Sequence, residues 1–221
     1  MKTITEYLST KVAQTKIKAT DDTIQQIVKD ELDRLGHNAD LNHIDISEVT
    51  SLLHVFNPNQ LGGSRDERYK DINPDVSRWD VSNVTHMHYA FACANKFNGD
   101  ISDWDVSNVI KTEGMFFECW NFNCNIGNWN VSKVECMNSM FCGCGKFNQD
   151  LSRWDVRNVR DMVNIFMGCR NFNQDLSQWD VSNLKMLKYK TVNLEKRVLS
   201  LFFEGCDINK DFIPNLLKPY L

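Results

Sequence analysis

Ile101-Ser102-Asp103-Trp104-Asp105-Val106-Ser107-Asn108-Val109 contains the hexapeptide whose reading decides the fold, Trp-Asp-Val-Ser-Asn-Val. It also begins at Trp79 and returns as Trp129-Asn130-Val131-Ser132-Lys133-Val134, Trp154-Asp155-Val156-Arg157-Asn158-Val159 and Trp179-Asp180-Val181-Ser182-Asn183-Leu184, 25 residues apart each time. A worn copy, Ile44-Asp45-Ile46-Ser47-Glu48-Val49, precedes them, with ten extra residues before the next Trp. Further columns keep the same step. Phe91, Phe116, Phe141 and Phe166 form one, and Phe97, Phe122, Phe147 and Phe172, each followed by Asn, form another. Ile101, Ile126, Leu151 and Leu176 align, as do Cys119, Cys144 and Cys169.

A period of 20–29 residues lies in the leucine-rich-repeat range, where one strand and one helical return make a unit that must stack to bury its apolar face. Ile101-x-x-Trp104-x-Val106 has the strand spacing of such a unit, with alternate residues inward. Val109, Thr112 and Phe116, and more regularly Val134, Met137, Met140 and Phe141, have helical spacing, and Ser132-Lys133-Val134-Glu135 reads as a capping box. The expected fold is therefore an α/β repeat: a right-handed leucine-rich-repeat solenoid with short parallel strands, short helices and a helical N-terminal cap. The expected domains are a helical cap over 1–43, about six coils over 44–184 with a surface-loop insertion at 57–71, and a cap coil over 185–221. In the first cap, Thr20 is expected to start a helix striped by Ile24, Ile27, Val28, Leu32 and Leu35 and ended by Gly36, after a shorter one through Ile4, Leu8 and Val12. At the other end, Phe203-Glu204-Gly205-Cys206 echoes Phe166-Met167-Gly168-Cys169.

The hexapeptide, the Met-Phe followed by Cys, and Phe-Asn-Gln-Asp-Leu-Ser at 147–152 and 172–177 resemble the BspA-like leucine-rich repeats of bacterial surface proteins and mycoplasma lipoproteins. The resemblance spans about residues 44–184. It implies an adhesin or binding surface with no catalytic residue to carry over.

Composition narrows the function classes. The 221 residues carry 25 Lys+Arg against 29 Asp+Glu, a formal charge of −4, with 42 % hydrophobic and 24 % charged residues. That is ordinary globular composition, and no apolar run has the length of a membrane span. The N-terminus does not read as a signal peptide, so eight cysteines are expected to be reduced thiols in a cytoplasmic protein. The acidic balance disfavours nucleic acid, leaving the basic run Lys185, Lys188, Lys190, Lys196, Arg197 as a solvated face. Cys136, Cys142 and Cys144, with Cys119 and Cys124 near, lack paired Cys-x-x-Cys knuckles, so no metal is expected. The five histidines (37, 43, 54, 86, 88) belong to no catalytic motif, so neither enzymatic activity nor a cofactor is expected.

Polar columns divide into structural and recognition roles. Asp80, Asp105, Asn130, Asp155 and Asp180 suit corner hydrogen bonding to backbone N–H groups better than a calcium row, Asn130 being neutral. Asn98, Asn123, Asn148 and Asn173 suit a buried amide ladder. Columns that vary while pointing outward are free to recognise a partner: Arg78, Asp103, Asn128, Arg153 and Gln178, each preceding a Trp, with Arg157 and Arg160 beside them. Arg157 replaces the Ser expected to cap a helix. The resulting expectation is a non-enzymatic protein-binding solenoid, an intracellular adaptor or an inhibitor that occupies a target protein, with an acidic partner surface and with self-association allowed. The alternative is a BspA-like adhesin.

Overall fold

The computed structural model describes residues 16–63, 67–185 and 198–220. The expected helix through Ile4, Leu8 and Val12, and most of the basic run at 188–197, lie outside the described residues.

The 25-residue period builds stacked coils, but not from strands and helices. The elements of the described residues are the α-helices α1 (Ile24–Leu35), α2 (Pro58–Leu61) and α3 (Val198–Phe203), short 3-10 turns at Glu67–Tyr69, Lys210–Phe212 and Lys218–Tyr220, and one two-stranded parallel sheet, β1 (Ile17–Lys18) with β2 (Ile44–Asp45). None of them falls between Ile72 and Leu184. The leucine-rich-repeat solenoid is therefore overturned: the positions read as strand and helix are strings of turns, joined by single parallel bridges at Ser51, His86, Lys111, Cys136 and Asp161.

Backbone hydrogen bonding gives the reason. From Met87 onward, alternate N–H groups leave their own coil: Met87 donates to the Lys111 carbonyl at 2.9 Å, Tyr89 to Glu113 at 2.8 Å and Phe91 to Met115 at 2.9 Å. The intervening N–H groups of Ala90, Ala92 and Ala94 close four-residue turns on Met87, Tyr89 and Phe91. A helix would keep every N–H inside the coil; here half of them tie coil to coil. The pattern needs left-handed backbone twice per coil, at Tyr89 and Cys93 (φ 51° and 66°), Gly114 and Glu118 (56° and 58°), Ser139 and Gly143 (54° and 79°), and Asn164 and Gly168 (60° and 75°). Such angles exclude a helix and are costly without glycine or Asn. The Ser132 capping box accordingly caps nothing. Ser132 N–H and Oγ donate to Asn130 Oδ1 at 3.2 and 2.7 Å instead.

Apolar columns fill the stack. Phe91, Phe116, Phe141, Phe166 and Phe203 lie face over face with centroids 5.6–5.9 Å apart, and Phe97, Phe122, Phe147 and Phe172 make a second pile. Each ladder Trp is buried, and its indole N–H donates to a carbonyl one coil below: Trp79 to Leu41, Trp104 to Val76, Trp129 to Ile101, Trp154 to Ile126 and Trp179 to Leu151, at 2.9–3.1 Å. The eight cysteines are free. Cys119, Cys144 and Cys169 are buried and donate to the Phe91, Phe116 and Phe141 carbonyls at 2.8–3.0 Å, and burial raises each thiol pKa well above its usual value.

The ends are built differently. Helix α1 starts at Ile24, not beside Thr20, and Thr23 at its N-cap makes no side-chain cap bond. Asp21 reaches the first coil instead, accepting from Thr50 N–H, Thr50 Oγ and Ser51 N–H at 2.6–3.0 Å. The 57–71 insertion is more than a surface loop: Pro58, Leu61 and Tyr69 are buried, and the Tyr69 hydroxyl donates to Asp33 of α1. At the C-terminal end, Phe166 N–H donates to the Phe202 carbonyl and Gly168 N–H to that of Glu204.

Candidate protein-binding face

The polar columns sort by what their hydrogen bonds leave over. Each hexapeptide Asp or Asn folds onto the N–H two residues on: Asp80 to Ser82, Asp105 to Ser107, Asn130 to Ser132, Asp155 to Arg157 and Asp180 to Ser182, at 3.0–3.2 Å. These bonds hold Asp105 and Asp180 below the usual carboxylate range, the side-chain bond from Ser107 or Ser182 first. The Asn98, Asn123, Asn148 and Asn173 ladder is present, each Oδ1 accepting the N–H of the next Asn at 2.7–3.0 Å, and it runs on from Asn73 to Asn209. It is a surface ladder rather than a buried one: Asn98, Asn148 and Asn173 are exposed. The repeated Asp residues are thus occupied in shaping their own corners and the repeated Asn residues in holding the coils in register.

The recognition column lies where the spacing puts it. Arg78, Asp103, Asn128, Arg153 and Gln178 are all exposed. Their side chains are not equally free. Arg78 approaches Asp40 at 3.5 Å, and Gln178 donates to Ser177 Oγ. Arg157 closes a bidentate pair on Asp155 at 2.9 and 2.8 Å, so the residue expected to cost a helix cap instead clasps its own corner. Arg160 pairs with Glu135 at 3.4 Å. Among the described residues, no hydrogen bond or ion pair holds the Arg153 side chain. Arg153 and Asn128 come together around a shallow recess of about 190 Å³, which Asn125, Gly127 and Asp150 complete. The three arginines therefore do not form one basic cluster.

Two surface features escape the column reading. The sixth tryptophan, Trp120, stands outside the ladder and is 42 % exposed. Its ring lies over Gly145, where a Cβ would meet ring carbons at 2.5–2.7 Å, and the Arg170 guanidinium lies 5.5 Å from its centroid. The other is the recess, signalled only by comparing copies at positions flanking the hexapeptide. Where the other coils have Asp75, Asp100, Asp150 and Asp175, this one has Asn125, and where they have Ser77, Ser102, Ser152 and Ser177, it has Gly127.

Among the described residues, no group of three or more His, Cys, Asp or Glu side chains is placed to hold a metal ion, and no helix is long and apolar enough to cross a membrane. Neither a curated protein nor a solved structure matches the chain. A family model does, over residues 24–137 and again over 104–197, and it is not that of the BspA-like repeats, whose resemblance is corrected accordingly. The chain belongs to the family described as Mycoplasma protein of unknown function, DUF285.

Proposed function

We propose that this chain is a non-enzymatic protein-binding module, acting in the cytoplasm as an adaptor or as an inhibitor that occupies a target protein. One observation carries the reading. Residues constant from coil to coil are consumed by packing and by hydrogen bonds between or within coils, whereas the outward column Arg78, Asp103, Asn128, Arg153, Gln178 changes identity on that fixed frame. A rigid lattice with a varied surface column presents contact groups without an ordering cost on binding. Exposed Arg and Trp, here Arg153 and Trp120, are the residue types that anchor protein interfaces. Eight unpaired thiols suit a reducing compartment.

The test is affinity capture from the source cell with the wild-type chain and with the Arg153→Glu/Arg157→Glu double variant, each checked for its melting temperature. A partner retained saturably by the wild type and lost from an equally stable variant supports the reading. Equal recovery on both removes the acidic-partner face.

A further inference from the structure

We propose that the recess between the third and fourth hexapeptide coils is a carboxylate receptor, which takes an acidic side chain of a protein partner; this rests on the protein-binding reading above. Two departures from the repeat coincide there with an exposed guanidinium. Asn125 replaces an Asp, which removes one negative charge and adds an NH2 group. Gly127 replaces a Ser where a Cβ would meet the Asp150 backbone carbonyl oxygen at 2.4 Å, so the two coils approach closely at the edge of the recess. Arg153 supplies a guanidinium from the next coil, where Arg78, Asp103, Asn128 and Gln178 stand in the other coils.

Hydrogen bonding inside the recess leaves donors over. The Asn125 Oδ1 is spent on Gly127 N–H at 3.1 Å, which fixes the amide and leaves its Nδ2 free among the described residues. No hydrogen bond engages the Asn128 side chain or the Arg153 guanidinium among the described residues. Asp150 is the acid in the wall. It accepts from Ser152 N–H at 2.8 Å, and Arg153, beyond ion-pair distance among the described residues, still adds its charge to the Ser152 bonds that lower the Asp150 pKa. Two amide groups and a guanidinium thus converge on one small recess, a donor set suited to a carboxylate and able to grip it by the guanidinium fork.

The surrounding field agrees. Two acidic columns run along this side of the stack, Asp75, Asp100, Asp150, Asp175 and Asp80, Asp105, Asp155, Asp180, and both are interrupted in this coil alone, by Asn125 and Asn130. Lys133 stands in the same coil where the others have Asn, and donates to Asn108 Oδ1 at 2.6 Å. Apart from Asp150 in its wall, an incoming carboxylate therefore meets fewer acidic neighbours in this coil than in the others. A recess of about 190 Å³ also has room for one side-chain head group rather than for a bulky ligand.

The experiment is an NMR titration of the full chain with N-acetyl-tetraglutamate amide, following the Asn125 and Asn128 side-chain NH2 groups and the Arg153 Nε–H, with N-acetyl-tetraglutamine amide as control. The expected result is saturable shifts centred on those three residues with tetraglutamate only. Affinity should fall at least tenfold in Arg153→Gln, fall in Asn128→Ala, and stay unchanged in Arg78→Gln. Shifts of equal size at Arg78 and Arg153, or unchanged affinity in Arg153→Gln, would overturn the proposal. So would inorganic phosphate binding the same resonances as tightly, because the receptor would then be a general anion site. A cellular partner lost from the Arg153→Glu/Arg157→Glu variant while tetraglutamate leaves these resonances unmoved would overturn the recess and leave the protein-binding reading standing.

Discussion

The coils from Val76 to Leu184 and the N-terminal segment from Ile17 to Phe56 share one continuous core, yet they are joined by different chemistry. The coils meet through repeated neutral contacts: stacked phenylalanines, indole N–H to carbonyl, thiol to carbonyl, and alternate backbone N–H groups crossing to the next coil. The N-terminal segment joins that lattice through the Leu52, His54 and Phe56 N–H groups and the Phe56–Phe91 stack, and is fastened within itself by individual charged groups as well. Asp21 binds Thr50 and Ser51, and Glu31 takes hydrogen bonds from Arg34 and from the buried His43 ring. One region is a lattice in which every unit repeats the same bargain with its neighbours; the other is a joint that a change of protonation can loosen. The difference predicts which perturbations reach which region.

Interrupting the lattice should have the largest effect. Phe116 touches Phe91 and Phe141 above and below and Phe122 within its own coil, at 3.8–5.9 Å between centroids. Phe116→Ala leaves a cavity in the middle of the stack and should cost about 3–5 kcal/mol, read by urea denaturation. Next comes Trp129→Phe, which keeps most of the ring but leaves the Ile101 carbonyl without its indole donor. The expected loss is about 1–3 kcal/mol, and the same substitution at Trp154 should cost a similar amount if the coils are equivalent.

Protonation should sharpen the contrast. Burial lowers the pKa of His54 and of His88, the latter with help from the His86 and Lys111 charges. Their folded pKa values lie below the unfolded ones, so the stability they contribute is present above pH ~6.5 and is lost as pH falls from there through the folded values. Asp21 and Glu31 act lower. Burial opposes ionisation of Asp21, but the bonds from Thr50 and Ser51 outweigh it, while for Glu31 the Arg34 bond is the largest effect, so both carboxyls are held below their usual range. Their stabilisation is present above pH ~4 and is lost as pH falls through the folded values. Hydrogen exchange compared between pH 7 and pH 5.5, corrected for intrinsic rates, should show Leu52–Phe56 loosening together with Met87–Phe91, the coil edge that receives its N–H groups, while Met137–Phe141 stays protected. Equal loosening in both would dissolve the distinction.

How much of this was legible in the sequence follows from which property each residue type reports. Spacing alone located the Trp, Phe and Cys columns, the corner role of the Asp column and the outward column, because burial side by side demands the same residue at the same step. Spacing could not say which secondary structure carries the columns. Val134, Met137, Met140 and Phe141 fall at helical intervals, but consecutive turns also bring such residues to one side. The distinguishing sign was glycine and Asn at left-handed positions, Gly114, Gly143, Asn164 and Gly168, and it was blurred because Tyr89, Cys93, Glu118 and Ser139 adopt the same conformation. The recess was hidden for a related reason. It arises from what Asn125 and Gly127 lack relative to their counterparts, and only the structure shows that Arg153 from the next coil borders the space.

The smallest effect is expected at the corner of the fourth coil. Arg157→Ser restores the residue of the other coils and removes only an exposed ion pair to Asp155, so the urea midpoint should stay where it is in the wild type. A lowered midpoint would mean that this coil depends on its side-chain clasp rather than on the shared lattice.

The most direct test of the stacked-turn account is solvent exchange of the indole N–H protons of the six tryptophans, followed by NMR on the native protein. The account predicts five slowly exchanging indoles, those of Trp79, Trp104, Trp129, Trp154 and Trp179, each bonded to a carbonyl one coil below, and one fast indole, that of Trp120. Two or more fast indoles among the ladder tryptophans, or a protected Trp120, would contradict it.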